Sequence, residues 1–240
     1  MPAESEDADQ ETSSEAYARR FAGAVGALFL ETQAQATLDL LAPLGSGSLL
    51  DVGGGHGQVT GPLVEAGHAV TVFGSDPRCR GRVASFLDSG RARFVSGDLL
   101  GLPFPDRSFD VALSYRLLPH VTRWPELIGE LCRVARRAVL VDYPTTRSLN
   151  LAAGAFFGLK KGVEGNTRPF QVFRDADIES AFARHGFRQS GRRPQFFLPM
   201  ALHRALRLAP LSRALEGLAL AFGLLSAFGS PVILRLSRDG

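Results

Sequence analysis

Leu49-Leu50-Asp51-Val52-Gly53-Gly54-Gly55-His56-Gly57 is the stretch that decides the fold. Its apolar half reads as a buried parallel strand, and the residues from about 58 to 66 read as a helix. Glycines between them let the backbone turn sharply and approach a ligand closely, while the helix that follows points its N–H groups into the same space. In an open α/β sheet such a crevice lies beyond the carboxyl ends of the strands, where the strand order reverses. A dinucleotide-binding turn would carry Gly-x-Gly-x-x-Gly, and neither phase does: Gly53 and Gly55 are followed by Gln58, Gly55 and Gly57 by Thr60. A nicotinamide-dependent oxidoreductase therefore lacks its fingerprint here.

The same strand-then-helix rhythm runs outward from the turn. Strands are expected at Ala69–Phe73, Arg93–Val95, Phe109–Leu113 and Ala138–Asp142, with helices at about 78–88, opened by Pro77, and 124–135. A helix over Asp175–His185, stopped by Gly186, is followed by strand-like Gln195–Leu198, and the chain closes on a strand at Val232–Leu236. Strands alternating with helices predict a doubly wound, mostly parallel α/β sheet with both faces covered. One or two helices fill 15–43 ahead of the sheet, and the acidic residues 1–14 read as a disordered tail. One domain over 15–240 is expected, with two long interruptions at 144–173 and 200–229.

Composition narrows the class. The formal net charge is only +3, but 181–240 hold nine arginines against two acids, which favours a basic C-terminal face. Of 27 cationic residues only Lys160 and Lys161 are lysines, a bias that speaks for coding preference more than for phosphate contacts, so no nucleic acid is expected as partner. Cys79 and Cys132 form no disulfide framework and have no metal-ligand spacing, so no metal is expected. The acidic start lacks a signal peptide, and the uncharged run Gly217–Leu234 is broken by Gly229-Ser230-Pro231, which reads as one buried helix and a turn rather than a transmembrane segment. A cytoplasmic protein is expected.

Asp51-x-Gly53-x-Gly55-x-Gly57, Gly97-Asp98-Leu99-Leu100-Gly101-Leu102-Pro103-Phe104, Phe109-Asp110-Val111, Leu118-Pro119-His120-Val121 and Glu130-Leu131-Cys132-Arg133-Val134 together resemble class I S-adenosylmethionine-dependent methyltransferases, particularly the small-molecule, ubiquinone and menaquinone methyltransferase group. The resemblance covers roughly residues 45–142 closely and implies a seven-stranded Rossmann-like sheet with helical insertions near the C-terminus. It implies S-adenosylmethionine as cofactor and S-adenosylhomocysteine as product. Asp51 would anchor the ammonium side, and Gly53, Gly54, Gly55 and Gly57 would form the turn beneath the amino-acid and ribose portions. Asp98 would accept from the adenine amino group, Leu99 would pack on the ring, and Ser114 and Tyr115 would border the methionine part, Tyr115 equally reading as a packing residue. The group usually places an acid at the end of the second strand, where this chain has Gly74; Asp76, two residues late, either bulges back to the ribose or caps the helix begun by Pro77.

Methyl transfer from a sulfonium is an in-line displacement, so alignment supplies much of the catalysis and a base is optional. His120, at the mouth after the fourth strand, is the candidate base, and reads equally as a helix-start histidine. Tyr143 and Arg116 sit near strand ends and could orient a substrate. The chain lacks the Asn/Asp-Pro-Pro-aromatic motif of nucleic-acid amino methyltransferases, having Ser114-Tyr115-Arg116-Leu117 there. The expected acceptor is a small molecule, apolar or aromatic, with O- or C-methylation; the alternative is an inactive methyltransferase-fold binding or scaffold module. Residues 144–173 and 200–229 are expected to cover the acceptor. In the latter, leucines alternate with Arg204, Arg207 and Arg213, a pattern that also suits a homodimer face or peripheral contact with a membrane.

Overall fold

The computed structural model describes residues 6–148 and 170–239. The expectation for 144–173 therefore falls largely outside the described residues, as does that for the first five positions. Seven strands form one sheet in the order β3-β2-β1-β4-β5-β7-β6. These are β1 (Ser48–Val52), β2 (Ala69–Gly74), β3 (Ala92–Ser96), β4 (Phe109–Ser114), β5 (Ala135–Tyr143), β6 (Phe187–Pro194) and β7 (Val232–Arg238). The first five pair in parallel, and β7 runs antiparallel between β5 and β6. Strand order reverses between β1 and β4, so the crevice opens beyond Val52 and Ser114.

Alternate strand residues supply the two faces, as a period of two requires. Leu50, Val52, Ala112, Val139 and Val141 pack on one side with Leu127 and Leu131 of α6 (Trp124–Val134) and Phe182 of α7 (Asp175–Ala183). Leu49, Val111, Leu113 and Leu140 pack on the other with Leu40 and Leu41 of α3 (Gly23–Leu41) and Leu63 of α4 (Thr60–Glu65). The helix expected over 78–88 is a 3-10 segment, Pro77–Val83, followed by α5 (Ala84–Asp88).

Three expectations are corrected. Residues 8–14 are structured: α1 (Ala8–Thr12) and α2 (Glu15–Ala18) precede α3, and Ala8 and Asp9 are buried. The strand near 195–198 lies earlier, at β6, whose Phe187-Arg-Gln-Ser-Gly-Arg-Arg-Pro194 carries almost no apolar signal because it is the sheet's half-exposed edge. The single buried helix expected ahead of Gly229 is two helices, α9 (Ala209–Ala221) and α10 (Leu224–Phe228), separated at Gly223 with φ +72° and largely exposed; α8 (Met200–Leu206) precedes them.

Arg133 fastens the loop between β3 and β4 to α6. Its guanidinium donates to the carbonyls of Leu102 (2.8 Å) and Phe104 (2.7 Å) and to the carboxylates of Glu130 and Asp106, while Glu130 accepts the Leu102 N–H at 2.7 Å. Replacing it by Met leaves the Phe104 carbonyl without its donor and takes one donor from the Leu102 carbonyl and from the carboxylates of Glu130 and Asp106, so Arg133→Met is expected to lower stability by about 1–3 kcal/mol. Arg133→Lys should recover little of this, since one ammonium cannot reproduce the fork. Urea melts with an unchanged m-value would show it; a midpoint shift below 0.3 of the expected size in the Met variant would mean that the loop holds itself.

Candidate active site

The glycine turn is shaped as much by what lies beneath it as by what could lie above. Gly53 (φ +77°) and Gly57 (φ +69°) adopt left-handed backbone that favours glycine. A side chain on Gly54 would enter the Asp51 carboxyl group, and one on Gly55 would meet Ser13 and come within 2.5 Å of the Cys79 carbonyl. Gly54 thus lets Asp51 tuck under the turn, and Gly57 serves packing against the 3-10 segment, where a Cβ would lie 3.2 Å from the Arg82 carbonyl.

Several polar groups are buried at this end of β1 and β4 without a protein partner. Neither carboxyl oxygen of Asp51 has one, nor does Ser114 Oγ. Burial alone pushes Asp51 up to about 7. Burial, helped by the nearby Arg116 guanidinium, pushes His56 down to about 4, and its Nδ1 accepts the Gln58 N–H at 3.1 Å. Beside them, at the end of β5, Asp142 accepts the Arg116 N–H at 2.6 Å and pairs with its Nε at 3.3 Å. Burial raises Asp142, while Arg116 and His120 pull it back toward the charged form. Arg116 itself is held at φ +59°, an unfavoured backbone conformation for a side chain of its kind. Sequence reasoning passed over Asp142; its signal was an acid at the carboxyl end of an otherwise apolar strand.

The other expected residues divide. His120 stands next to Asp142 at the mouth, its ring 5.5 Å from that of Phe170. Leu99 is buried in the core, and Asp98, exposed, accepts the Leu100 N–H at 2.9 Å. Tyr115 turns away from the crevice: its hydroxyl meets Thr37 Oγ1 at 3.0 Å beneath the sheet, which makes it a packing residue. Tyr143 donates to Asp175 at 3.0 Å, and burial beside that carboxylate raises its pKa. Asp76 is a cap: it accepts the Arg78 N–H and pairs with the Arg78 guanidinium, both at 2.8 Å.

The carboxylate seated at the end of β2 is instead that of Asp9. Its Oδ2 accepts the Ser75 N–H at 2.7 Å, and its buried Oδ1 has no partner. It arrives on an N-terminal strap that crosses the crevice. Glu6 accepts from the N–H groups of Thr122 and Arg123, Ser13 lies on Gly55, and the Phe21 ring sits 5.7 Å under the Arg116 guanidinium. Nothing in residues 1–14 marks this docking, because the groups bonded by Asp9 and Glu6 are 66 to 117 positions away.

A ligand carrying an ammonium and hydroxyl groups suits this set, since Asp51, Ser114 and Asp9 present buried acceptors. Because burial raises Asp51 above the ordinary carboxylate range, unfolding releases a proton between about pH 4 and 7. Its contribution to stability is present at low pH and is lost as pH rises through about 7. His56, shifted the other way, is common to both proteins in a comparison with Asp51→Asn and cancels. The wild type should therefore lose up to about 4 kcal/mol relative to Asp51→Asn between pH 4 and pH 8. Urea melts across that range test it; a constant difference would show Asp51 ionised throughout.

Residues 50–141 match the family described as a methyltransferase domain. The demethylmenaquinone methyltransferase of Roseiflexus sp. (strain RS-1) is 39% identical over 127 residues, 50% of this chain and 53% of that protein. The chain thus spans about half the length of the curated relatives it matches. Magnesium protoporphyrin IX methyltransferase from Synechocystis PCC 6803, solved with bound SAH, superposes with a TM-score of 0.66 at 17% identity, over 93% of both chains. The [4+2]-cyclase SpnF does so at 0.57 and 21% identity, over 86% of this chain and 82% of that one. At such identities the likeness shows the fold alone, and it is residues 50–141, carrying the glycine turn and the Gly97–Phe104 segment, that match the methyltransferase-domain family, within a sheet of the class I methyltransferase order.

Proposed function

We propose that the chain transfers a methyl group from S-adenosylmethionine to a small apolar or aromatic acceptor, by O- or C-methylation. The observation that carries this reading is the set of buried, unpartnered acceptors, Asp51 and Ser114, around the glycine turn at the strand-order reversal. When bound, S-adenosylmethionine supplies an electrophilic methyl on a sulfonium. Asp51 and the turn Gly53–Gly55 would hold its amino-acid end; Asp98 and Leu99 would receive the adenine. Asp9, rather than the capped Asp76, presents a carboxylate for the ribose. His120, poised by Asp142, is the group placed to take a proton from an acceptor hydroxyl or acidic carbon at the mouth. The exposed Phe170 ring against His120 favours a flat, apolar acceptor at that mouth. The named activity of the Roseiflexus relative, on demethylmenaquinone, agrees in kind.

Calorimetry should show binding of S-adenosylhomocysteine, weakened tenfold or more in Ser114→Val and in Asp51→Asn. No binding by folded protein at millimolar ligand would overturn the reading. Labelled methyl should then pass to quinol- or phenol-type acceptors; binding without transfer to any acceptor class would favour the binding-module alternative. His120→Gln should lower kcat while leaving the cofactor Kd unchanged. The strap must also lift to admit a ligand past Ser13, so amide exchange in residues 6–21 should change on adding S-adenosylhomocysteine. Unchanged exchange would mean that the ligand enters by another route.

A further inference from the structure

We propose that the face built by α8–α10 and the turn 19–26 docks on an anionic membrane surface. Of the ten large hydrophobic residues exposed among the described residues, eight lie between Leu202 and Phe228. Phe222 is 77% exposed, and Leu208 and Leu218 are each 58% exposed. Along α9 and its C-cap, Leu211, Leu218 and Phe222 recur at helical spacing about a quarter-turn from buried Ser212 and Ala219, and all three are exposed, so the stripe is apolar. No helix of the described residues is long and apolar enough to cross a membrane, which leaves these helices to lie on one.

Charge decides what the stripe faces. The one acid between 200 and 229, Glu216, is turned inward: it accepts from the N–H groups of Phe197 and Leu198 and bonds His203 at 2.8 Å. The cations stay at the surface. Arg204 and Arg207 meet Arg19 and Arg20 around a cavity of about 580 Å³, floored by the backbone of Ala22–Gly26 at the start of α3, where no side chain caps the helix. Arg207 occupies a left-handed conformation (φ +57°) at the end of α8, one residue before exposed Leu208. Four guanidiniums beside uncapped helix N–H groups suit a phosphate headgroup, and Leu208 together with the stripe along α9 suits acyl chains. A second copy is a poor occupant, because two-fold pairing of this face would set arginines against arginines with no exposed acid of α8–α10 to meet them. An anionic bilayer satisfies both the apolar stripe and the cations.

Cosedimentation with phosphatidylcholine vesicles, with and without one third phosphatidylglycerol, tests the assignment. The protein should bind the anionic vesicles and release from them as salt is raised. Reversing two charges in R19E/R207E should lower the partition coefficient on the order of tenfold or more. Phe222→Ser should also weaken binding, and an unchanged far-ultraviolet circular dichroism spectrum and urea midpoint serve as the check that each variant is folded. Absence of binding to anionic vesicles, equal binding to neutral ones, or indifference to R19E/R207E would overturn the proposal. So would a dimer in sedimentation equilibrium that Phe222→Ser dissociates while vesicles go unbound, which would give the face to a second copy.

Discussion

A carboxyl group buried at the end of β1 with nothing to bond is the constraint around which the site is arranged. Isolating an ionised carboxylate from water costs several kcal/mol, and the side chain responds by holding its proton to about pH 7. The cost could have been avoided with an apolar residue, as at Leu113 on the neighbouring strand, whose register partner is Asp51. Keeping an acid there forces the rest. Only a glycine at 54 leaves room for it, and left-handed backbone at 53 and 57 carries the chain over it and back. The arrangement is stable because β1 is central, paired on both edges, and packed on both faces.

Much of the fold was legible because parallel central strands are short apolar runs and this chain punctuates them plainly. Leu49–Val52, Phe109–Leu113 and Ala138–Asp142 emerged within a few residues of β1, β4 and β5. Where burial falls away, so does legibility. β6 is polar because it is an edge, held by backbone pairing to β7 and by Arg235, whose guanidinium reaches the carbonyls of Leu40 and Ser190. The exposure of α9 was misjudged for the opposite reason: its apolar residues resemble those of a core helix, and composition cannot say whether anything covers them.

At the site, residues on the strand ends were legible and residues delivered from elsewhere were not. Asp51, Ser114 and His120 lie at the crevice because the topology puts them there. The tyrosines show the limit of that logic: a strand-end position fixes where the backbone is, while side-chain alternation sent Tyr115 beneath the sheet and packing tied Tyr143 to Asp175. Asp76 was the sensible candidate from spacing, yet the first turn of the 3-10 segment claims it. Asp9 sits where a carboxylate was missed at Gly74, and no local pattern could announce it.

The strap also ties the crevice to the arginine-lined cavity. Tyr17 and Phe21 face the Arg116–Asp142 pair, where burial, opposed by Arg116, raises the Tyr17 hydroxyl's pKa. Arg19 and Arg20, interleaved with them on the same turn, line the cavity beside α8. A segment this short cannot move one set without the other. Gly26 makes the linkage tight, because a side chain there would run into the Phe21 backbone, so the turn is folded back directly on the start of α3. The two surfaces are joined through six residues, Ser14-Glu15-Ala16-Tyr17-Ala18-Arg19, whose α-helical turn is capped by Ser14 accepting the Tyr17 N–H. A single capped turn is a weak element to carry such coupling unless both ends are anchored, and here both are: Arg82 pairs with Glu15 at one end, and Phe21 lies under Arg116 at the other.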